Sequence, residues 1–368
     1  MNDRRGAAGR TPTAIESIRL VAGREIGSKL RSKAFLISTL ILFLGSLALV
    51  IWGGFTAQDT SGTPVAVTSD AIRYVEGVPG LDVTEVADRD EAVALVESDD
   101  VDAAIVADPE SAVGFSLIAD SGAPTQLMLT LAQVPPVDVL NPDDDDPALR
   151  YLVAIGFGIV FLLAASLFGG TIAQSVVEEK QTRVVELLIS AISTRTLLAG
   201  KVLGNTILAM AQILVLAGIA LIGLAVTGQT EVLQGLSGPI VWFAVFFLFG
   251  FILLASLFAA AAAMVSRQED IGSTTTPLTM LIMAPYFLVI FFNDNPVVLA
   301  IMSYVPFSAP VGMPLRIFLG QTQWWEPWLS LVILIASCVA AILIGARIYE
   351  NSLLRMGARV TLREALKS

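Results

Sequence analysis

The residues that could do chemistry are few. Histidine is absent from the 368 residues. No histidine base, triad or metal ligand is therefore possible. The single cysteine, Cys338, excludes an intramolecular disulfide and a cysteine-based zinc site. It lies in the apolar run SLVILIASCVAAILIG, where a small buried or lipid-facing residue is expected. A phosphate-binding loop needs Gly-x-x-x-x-Gly-Lys-Ser/Thr, whose amides and lysine surround the phosphates. Gly200–Lys201 is followed by Val202, and Arg195 stands at the first glycine's place. The chain is expected to hold no ATP and no other cofactor itself. The run Asp143–Asp146 offers carboxylates of the kind that suit calcium. It lacks the interleaved spacing of a calcium loop, and its flanking prolines read as a solvated linker. No catalytic or metal-ligating set is expected anywhere.

The elements that carry these residues are set by hydropathy. Of the residues, 55% are hydrophobic and 15% charged, with a mean hydropathy of +0.76. Soluble domains carry about 25% charged residues. A soluble enzyme, a fibrous protein and a disordered protein are excluded, which leaves a polytopic α-helical membrane protein. Crossing ~30 Å of hydrocarbon takes roughly 20 apolar residues. Six runs qualify: Ala34–Phe55, Leu152–Gln174, Val202–Thr227, Pro239–Val265, Ser273–Phe292 and Pro327–Arg347. The chain divides into a leader (1–33), a first span (34–55), a polar segment (56–150), a five-span bundle (151–349) and a tail (350–368). Within the bundle, segments 175–201 and 293–326 are not ordinary loops.

Charge orients the spans. With six of them, both termini share a side, and that side holds 18 of the 22 Lys and Arg residues. It is expected to be the cytoplasm, so the polar segment lies outside. That segment carries 20 Asp and Glu against three Arg. The basic face suits anionic lipid headgroups, and no basic-aromatic element suggests nucleic acid. The leader and first span are too long for a signal peptide. In the leader, Ile15, Ile18, Ala22, Ile26 and Leu30 recur at helical spacing, which predicts an interfacial amphipathic helix.

The outer segment reads as a small α/β domain. Pro64–Thr68, Leu81–Ala87, Ala103–Ala107 and Gly114–Ala119 are strand candidates, and Asp88–Ser98 and Pro124–Val134 helix candidates. Acids at the start of the first helix complement its dipole.

No Asp or Glu falls at the centre of a span, which argues against a carrier that relays protons by itself. Gln212 is polar within a span and is as able to bridge helices as to touch cargo. Ser273 and Thr276, before Pro277, either line a pathway or bond the preceding turn. Between spans two and three, Glu178, Glu179 and Glu186 flank an apolar patch of Val184, Val185, Leu187, Leu188 and Ile189. A helix over Glu178–Ser193, resting on the inner membrane face with its charges toward a partner, is expected. Arg183 stands three residues before Glu186, close enough to pair with it along that helix.

The stretch EEKQTRVVELLISAISTRTLLAGKVLG resembles the signature of type-2 ABC transporter permeases, in the branch similar to bacterial sodium-efflux permeases. Glu178, Glu179, Lys180, Glu186, Leu187, Leu188, Gly200 and Lys201 carry the match. The stretch VPFSAPVGMPLRIFLGQTQWWEPW resembles that branch's segment dipping back into the outer leaflet, with Pro306, Pro310, Met313, Pro314, Arg316, Gly320, Trp324 and Trp325. The leader REIGSKLRSKAFLIST and the order of parts agree.

The resemblance implies the transmembrane subunit of an ABC exporter in the bacterial cell membrane. It implies two copies of a separate ATPase subunit, which would bind ATP and magnesium. Six spans are half of the usual twelve, which implies a homodimer or a pair with a similar permease. It places Glu178, Glu179, Lys180, Arg183, Glu186, Leu187 and Leu188 at the ATPase contact. Pro306, Pro310, Met313, Pro314 and Arg316 would form the outer exit, and Gln212, Ser273 and Thr276 the pathway. Two alternatives remain from the residues alone: a membrane-anchored sensor using the outer domain, and an ATP-independent channel or carrier.

Overall fold

Thr13 opens the first helix, α1 (Ala14–Arg31), with a capping box: its side chain accepts from the Glu16 amide, and the Glu16 carboxylate accepts from the Thr13 amide. The computed structural model describes residues 13–58, 62–131 except 79, 110, 112 and 121–123, 147–353 and 360–367. Ser32, extended, separates α1 from α2 (Lys33–Gln58). Then follow β1 (Thr63–Thr68), β2 (Leu81–Val86), α3 (Arg89–Glu97), β3 (Ala103–Ala107), β4 (Phe115–Ile118) and α4 (Thr125–Leu131). The remainder is helical: α5 (Pro147–Gln181), α6 (Val184–Ala191), α7 (Thr194–Val226), α8 (Thr230–Ala263), α9 (Ile271–Phe291), α10 (Pro296–Met302), α11 (Ala309–Phe318), α12 (Glu326–Leu353) and α13 (Leu362–Lys367). Six helices, α2, α5, α7, α8, α9 and α12, are long and apolar enough to cross a membrane. They correspond to the six expected runs.

The chain forms two compact units, residues 52–144 and the rest. The small unit is a four-stranded sheet of order β2-β1-β3-β4. β1 pairs parallel with both β2 and β3, and β4 closes the edge antiparallel to β3. Asp88 caps α3 by accepting from the Glu91 amide at 2.9 Å. α3 is the crossover that parallel strands require. Val65, Val67 and Ile105 pack on one face with Leu127 of α4. Ala66, Ala104 and Val106 pack on the other with Ala92 and Val96 of α3. β1 and β3 are apolar on both faces because both faces are covered. Asp143–Asp146 lie outside the described residues.

In the large unit α8 is central. Phe157, Phe161 and Phe168 of α5 meet Phe243, Phe247 and Phe251 of α8, with ring centroids 4.8, 5.8 and 5.8 Å apart. Aromatic residues at turn-by-turn spacing thus become one ladder between two helices. α5 spans 35 residues, about 52 Å at 1.5 Å per residue. Its last turns therefore project beyond ~30 Å of hydrocarbon.

Two expectations are corrected. The helix over Glu178–Ser193 is two pieces: α5 runs to Gln181, and α6 begins at Val184. Arg183 between them is left-handed, with φ of 57°, a conformation that ends helices. Ser193 does start the next helix, accepting from the Thr196 amide. The leader is helical, and it packs Ser17, Val21, Ala22 and Glu25 on α7. Ile15, Leu20 and Leu30 stay exposed. The stretch 350–368 is not simply a tail. α12 continues to Leu353, and α13 is tied back by a bond from Asn351 Nδ2 to the Ala365 carbonyl, 2.7 Å.

Candidate functional site

The polar residues of the signature converge at the end of the bundle that carries α1 and α6. Lys201 of α7 is 1% exposed. Its ammonium donates to Glu25 Oε1 of α1 at 2.9 Å and to Ser175 Oγ of α5 at 2.6 Å. It lies 2.9 Å from Glu179 Oε2 of α5. The Arg24 guanidinium pairs with Glu179 and lies 3.6 Å from Glu25. Two cations and two carboxylates therefore balance in one cluster joining α1, α5 and α7. An unpaired charge at that depth would cost several kcal/mol, and balance removes most of the penalty.

Gly200 and Gly204 bring the helices close enough for this. A Cβ at Gly200 would fall 2.5 Å from Val21 Cβ, and one at Gly204 2.9 Å from the Ala22 carbonyl. The Gly-x-x-x-Gly spacing presents both to α1, as in close helix crossings within membranes. The Gly-Lys pair thus has a structural role: glycine admits α1, and lysine binds it.

Lys180 is fully buried. It donates to the Ala263 carbonyl at 2.8 Å and the Ser352 carbonyl at 3.0 Å, at the ends of α8 and α12. Orphan carbonyls at helix C-termini attract cations. The expectation that Glu179 and Lys180 face a partner is therefore corrected, since both are committed within the chain. Glu178 is exposed.

On α6, Val185 is the buried residue, not Leu187, which is 73% exposed. Leu188 is half-buried, and Glu186 is exposed. The Glu186 amide donates to the Arg183 carbonyl at 3.1 Å. Their side chains form no ion pair among the described residues. The left-handed turn at Arg183 takes it off the α6 face.

Between α9 and α12, α10 and α11 form a packed hairpin. Asn295 caps α10 by accepting from the Val297 and Val298 amides at 3.1 and 3.2 Å. Pro310, Met313 and Pro314 are buried, and Pro310 packs on α8 at Gly250. Pro306 is half-buried in the turn. Arg316 is buried and donates to Ser303 Oγ at 2.9 Å, the Gln321 carbonyl at 2.9 Å and Glu326 Oε2 at 2.8 Å. It pins α11 to the start of α12. Trp324, Trp325 and Trp328 are exposed beside it, as in an aromatic belt at a membrane interface.

Gln212 is buried, and its Oε1 has no partner among the described residues. Ser273 and Thr276 are exposed on α9. Ser273 donates to the Asp270 carbonyl of its own helix. The structure does not bring these three into one site. Sequence reasoning missed Glu25, Ser175, Ser303 and Glu326. For Glu25, the spacing Ser17–Val21–Glu25 marks a helix face, but one too polar to read as buried.

Residues 33–347 match the model of the ABC-2 family transporter protein. That match covers most of the chain, including five of the six long apolar helices whole and α12 as far as Arg347. The chain belongs to the ABC-2 transporter family. It is a multi-pass membrane protein, and its family is one of permeases, membrane transport components. Permeases of this family work with an ATPase subunit.

The uncharacterized protein YhaP of Bacillus subtilis (strain 168) is 28% identical over 210 residues, 54% of this chain and 50% of that protein. The uncharacterized protein MJ1024 of Methanocaldococcus jannaschii is 25% identical over 395 residues, 96% of each chain. The chain thus spans about half the length of the first relative and nearly all of the second. No solved structure matches.

Proposed function

We propose that this permease is the transmembrane subunit of an ATP-driven exporter, in the branch resembling sodium-efflux permeases. It works as a homodimer with two copies of a separate ATPase subunit that binds ATP and magnesium. Both termini, α1 and α6 face the cytoplasm of a bacterial cell, and the α/β unit lies outside. The charge split of 18 to four supports the orientation.

The observation that carries the reading is α6. It is a short helix at the turn between two spans, with Leu187 exposed beside the exposed Glu186. The helices on either side of it are clamped, α5 by Lys180 and α7 by Lys201. A push on α6 therefore moves α5 and α7 as rigid bodies and does not unwind them. ATP closes the ATPase pair, α6 transmits the movement, and the bundle changes access. Leu187 and Glu186, with Arg183 and Leu188 around them, form the ATPase contact.

The test is hydrolysis in the reconstituted pair. The purified permease alone should hydrolyse no ATP above background, and coexpression with its ATPase should yield a complex that does. Hydrolysis by the permease after complete removal of that ATPase would refute the assignment.

A further inference from the structure

The elbow at Ser32 encloses a cleft that the exporter reading does not use. α1 ends at Arg31, α2 begins at Lys33, and α5 passes behind both. Between them lies a cleft of about 730 Å³. Arg24, Ser28 and Lys29 line its α1 side, and Gln174 and Glu178 line its α5 side. Phe35 and Leu167 give it an apolar end. α2 is a membrane span by length and composition, so the elbow sits where lipid headgroups meet hydrocarbon.

The charges lining the cleft divide into two groups. Glu25, Glu179 and Arg24 are neutralised in the buried cluster with Lys201. Lys29 and Glu178 are not. Neither has an ion-pair partner within 4.0 Å among the described residues, and they do not reach each other. Lys29 is half-buried. Burial pushes its ammonium below the usual lysine range, while the Glu25 and Glu178 charges act against that shift. A cation partly withdrawn from water lacks a contact anion, and an anion across the cleft lacks a contact cation. Gln174, on the same helix face one turn before Glu178, adds an amide.

We propose that this cleft binds a phospholipid whose headgroup carries both a phosphate and a primary ammonium, the phosphoethanolamine type. The phosphate lies against Lys29, with the outer edge of Arg24 and the Ser28 hydroxyl beside it. The ammonium lies against Glu178 and the Gln174 amide oxygen. The acyl chains leave past Phe35 and Leu167 along the spans. The pairing selects among lipids. A headgroup with phosphate alone leaves Glu178 unmatched and adds a like charge to the cleft. A choline headgroup cannot donate hydrogen bonds to Glu178. A lipid held there braces the elbow between α1 and the first span.

Native mass spectrometry of the delipidated full-length permease, titrated with phosphatidylethanolamine, phosphatidylglycerol or phosphatidylcholine of the same chains, tests this. Phosphatidylethanolamine should bind first and about tenfold or more tighter than either competitor. Glu178→Gln should remove that preference, and Lys29→Gln should weaken binding of all three lipids through their shared phosphate. Soluble glycerophosphoethanolamine should not displace the lipid, because it lacks the chains that Phe35 and Leu167 contact. Displacement by it would show a headgroup site without a lipid and overturn the proposal. A second measurement needs no variant. A phosphatidylethanolamine with a photoreactive group near the headgroup should label peptides of residues 28–38 and 167–178. Equal affinity for the three lipids, or labelling confined to other helices, would overturn the proposal. Neither result bears on ATPase coupling, so the two readings fail separately.

Discussion

Lys201 of α7 and Glu25 of α1, 176 positions apart in the chain, form a buried ion pair 2.9 Å long. The pair, closed by Glu179 and Arg24, attaches the leader helix to the spans through charge as well as packing. Removing one member leaves an uncompensated charge in a low-dielectric site. Lys201→Met should therefore destabilise the permease by about 3–5 kcal/mol, read as a lower unfolding temperature in detergent. Lys201→Met with Glu25→Gln leaves Arg24 and Glu179 to balance each other. That double variant should recover most of the loss, and a double variant as unstable as the single one would show that the cluster is not balanced this way.

The glycine crossing predicts a separable effect. Gly204→Val pushes a side chain against the Ala22 carbonyl. Overpacking of this kind costs about 1–3 kcal/mol and should lift α1 without disturbing the span bundle. Limited proteolysis should then cut within residues 14–31 of the variant faster than in the wild type. Unchanged protection of α1 would mean that the approach at Gly204 is not what holds it.

The coupling reading puts Glu186 and Leu187 at the ATPase surface. Leu187→Glu and Glu186→Lys should each cut ATPase stimulation in the complex by about tenfold or more while the permease still inserts and dimerises. Because Arg183 and Glu186 make no ion pair among the described residues, exchanging them (Arg183→Glu with Glu186→Arg) should restore nothing. Full activity of that exchanged protein would remove Glu186 from the interface.

Arg316 and Glu326 join the hairpin to α12 at 2.8 Å. Arg316→Leu leaves Glu326 and Ser303 without their donor, at a cost of about 3–5 kcal/mol. Glu326→Gln keeps a hydrogen-bond acceptor and should cost less. Unfolding temperatures of the two variants compare them directly, and the reverse order would argue that the charge of Glu326 matters more than its hydrogen bond.

The orientation is open to labelling in intact cells. A cysteine at Asp90, in the α/β unit, should react with a membrane-impermeant maleimide from outside. A cysteine at Leu362, exposed on α13, should react only after lysis. For both, Cys338 is first replaced by Ala. Labelling of Leu362→Cys from outside would overturn the six-span orientation.

Composition and periodicity alone were sufficient to find six long apolar helices and a small α/β unit, because each rests on local runs. Twenty apolar residues must leave water wherever they occur, and Ala103–Ala107 reads as a strand from its own short apolar run, whereas its parallel pairing with β1 and the cover on both its faces belong to the fold. The signature from Glu178 to Lys201 was also legible in the sequence. What its residues do was decided by tertiary structure. Glu179, Lys180 and Lys201 look like exposed charges because charge usually means surface. They are buried because Glu25, far away in the chain, and the carbonyl ends of α8 and α12 supply partners that no local window contains. The same reason explains Arg316, read as part of an exit and found locked to Glu326 and Ser303. Leu187 stands exposed on α6, which starts after the left-handed turn at Arg183 and buries Val185 instead. A charge can be buried only where its counter-charge arrives, and that arrival is a property of the packed bundle.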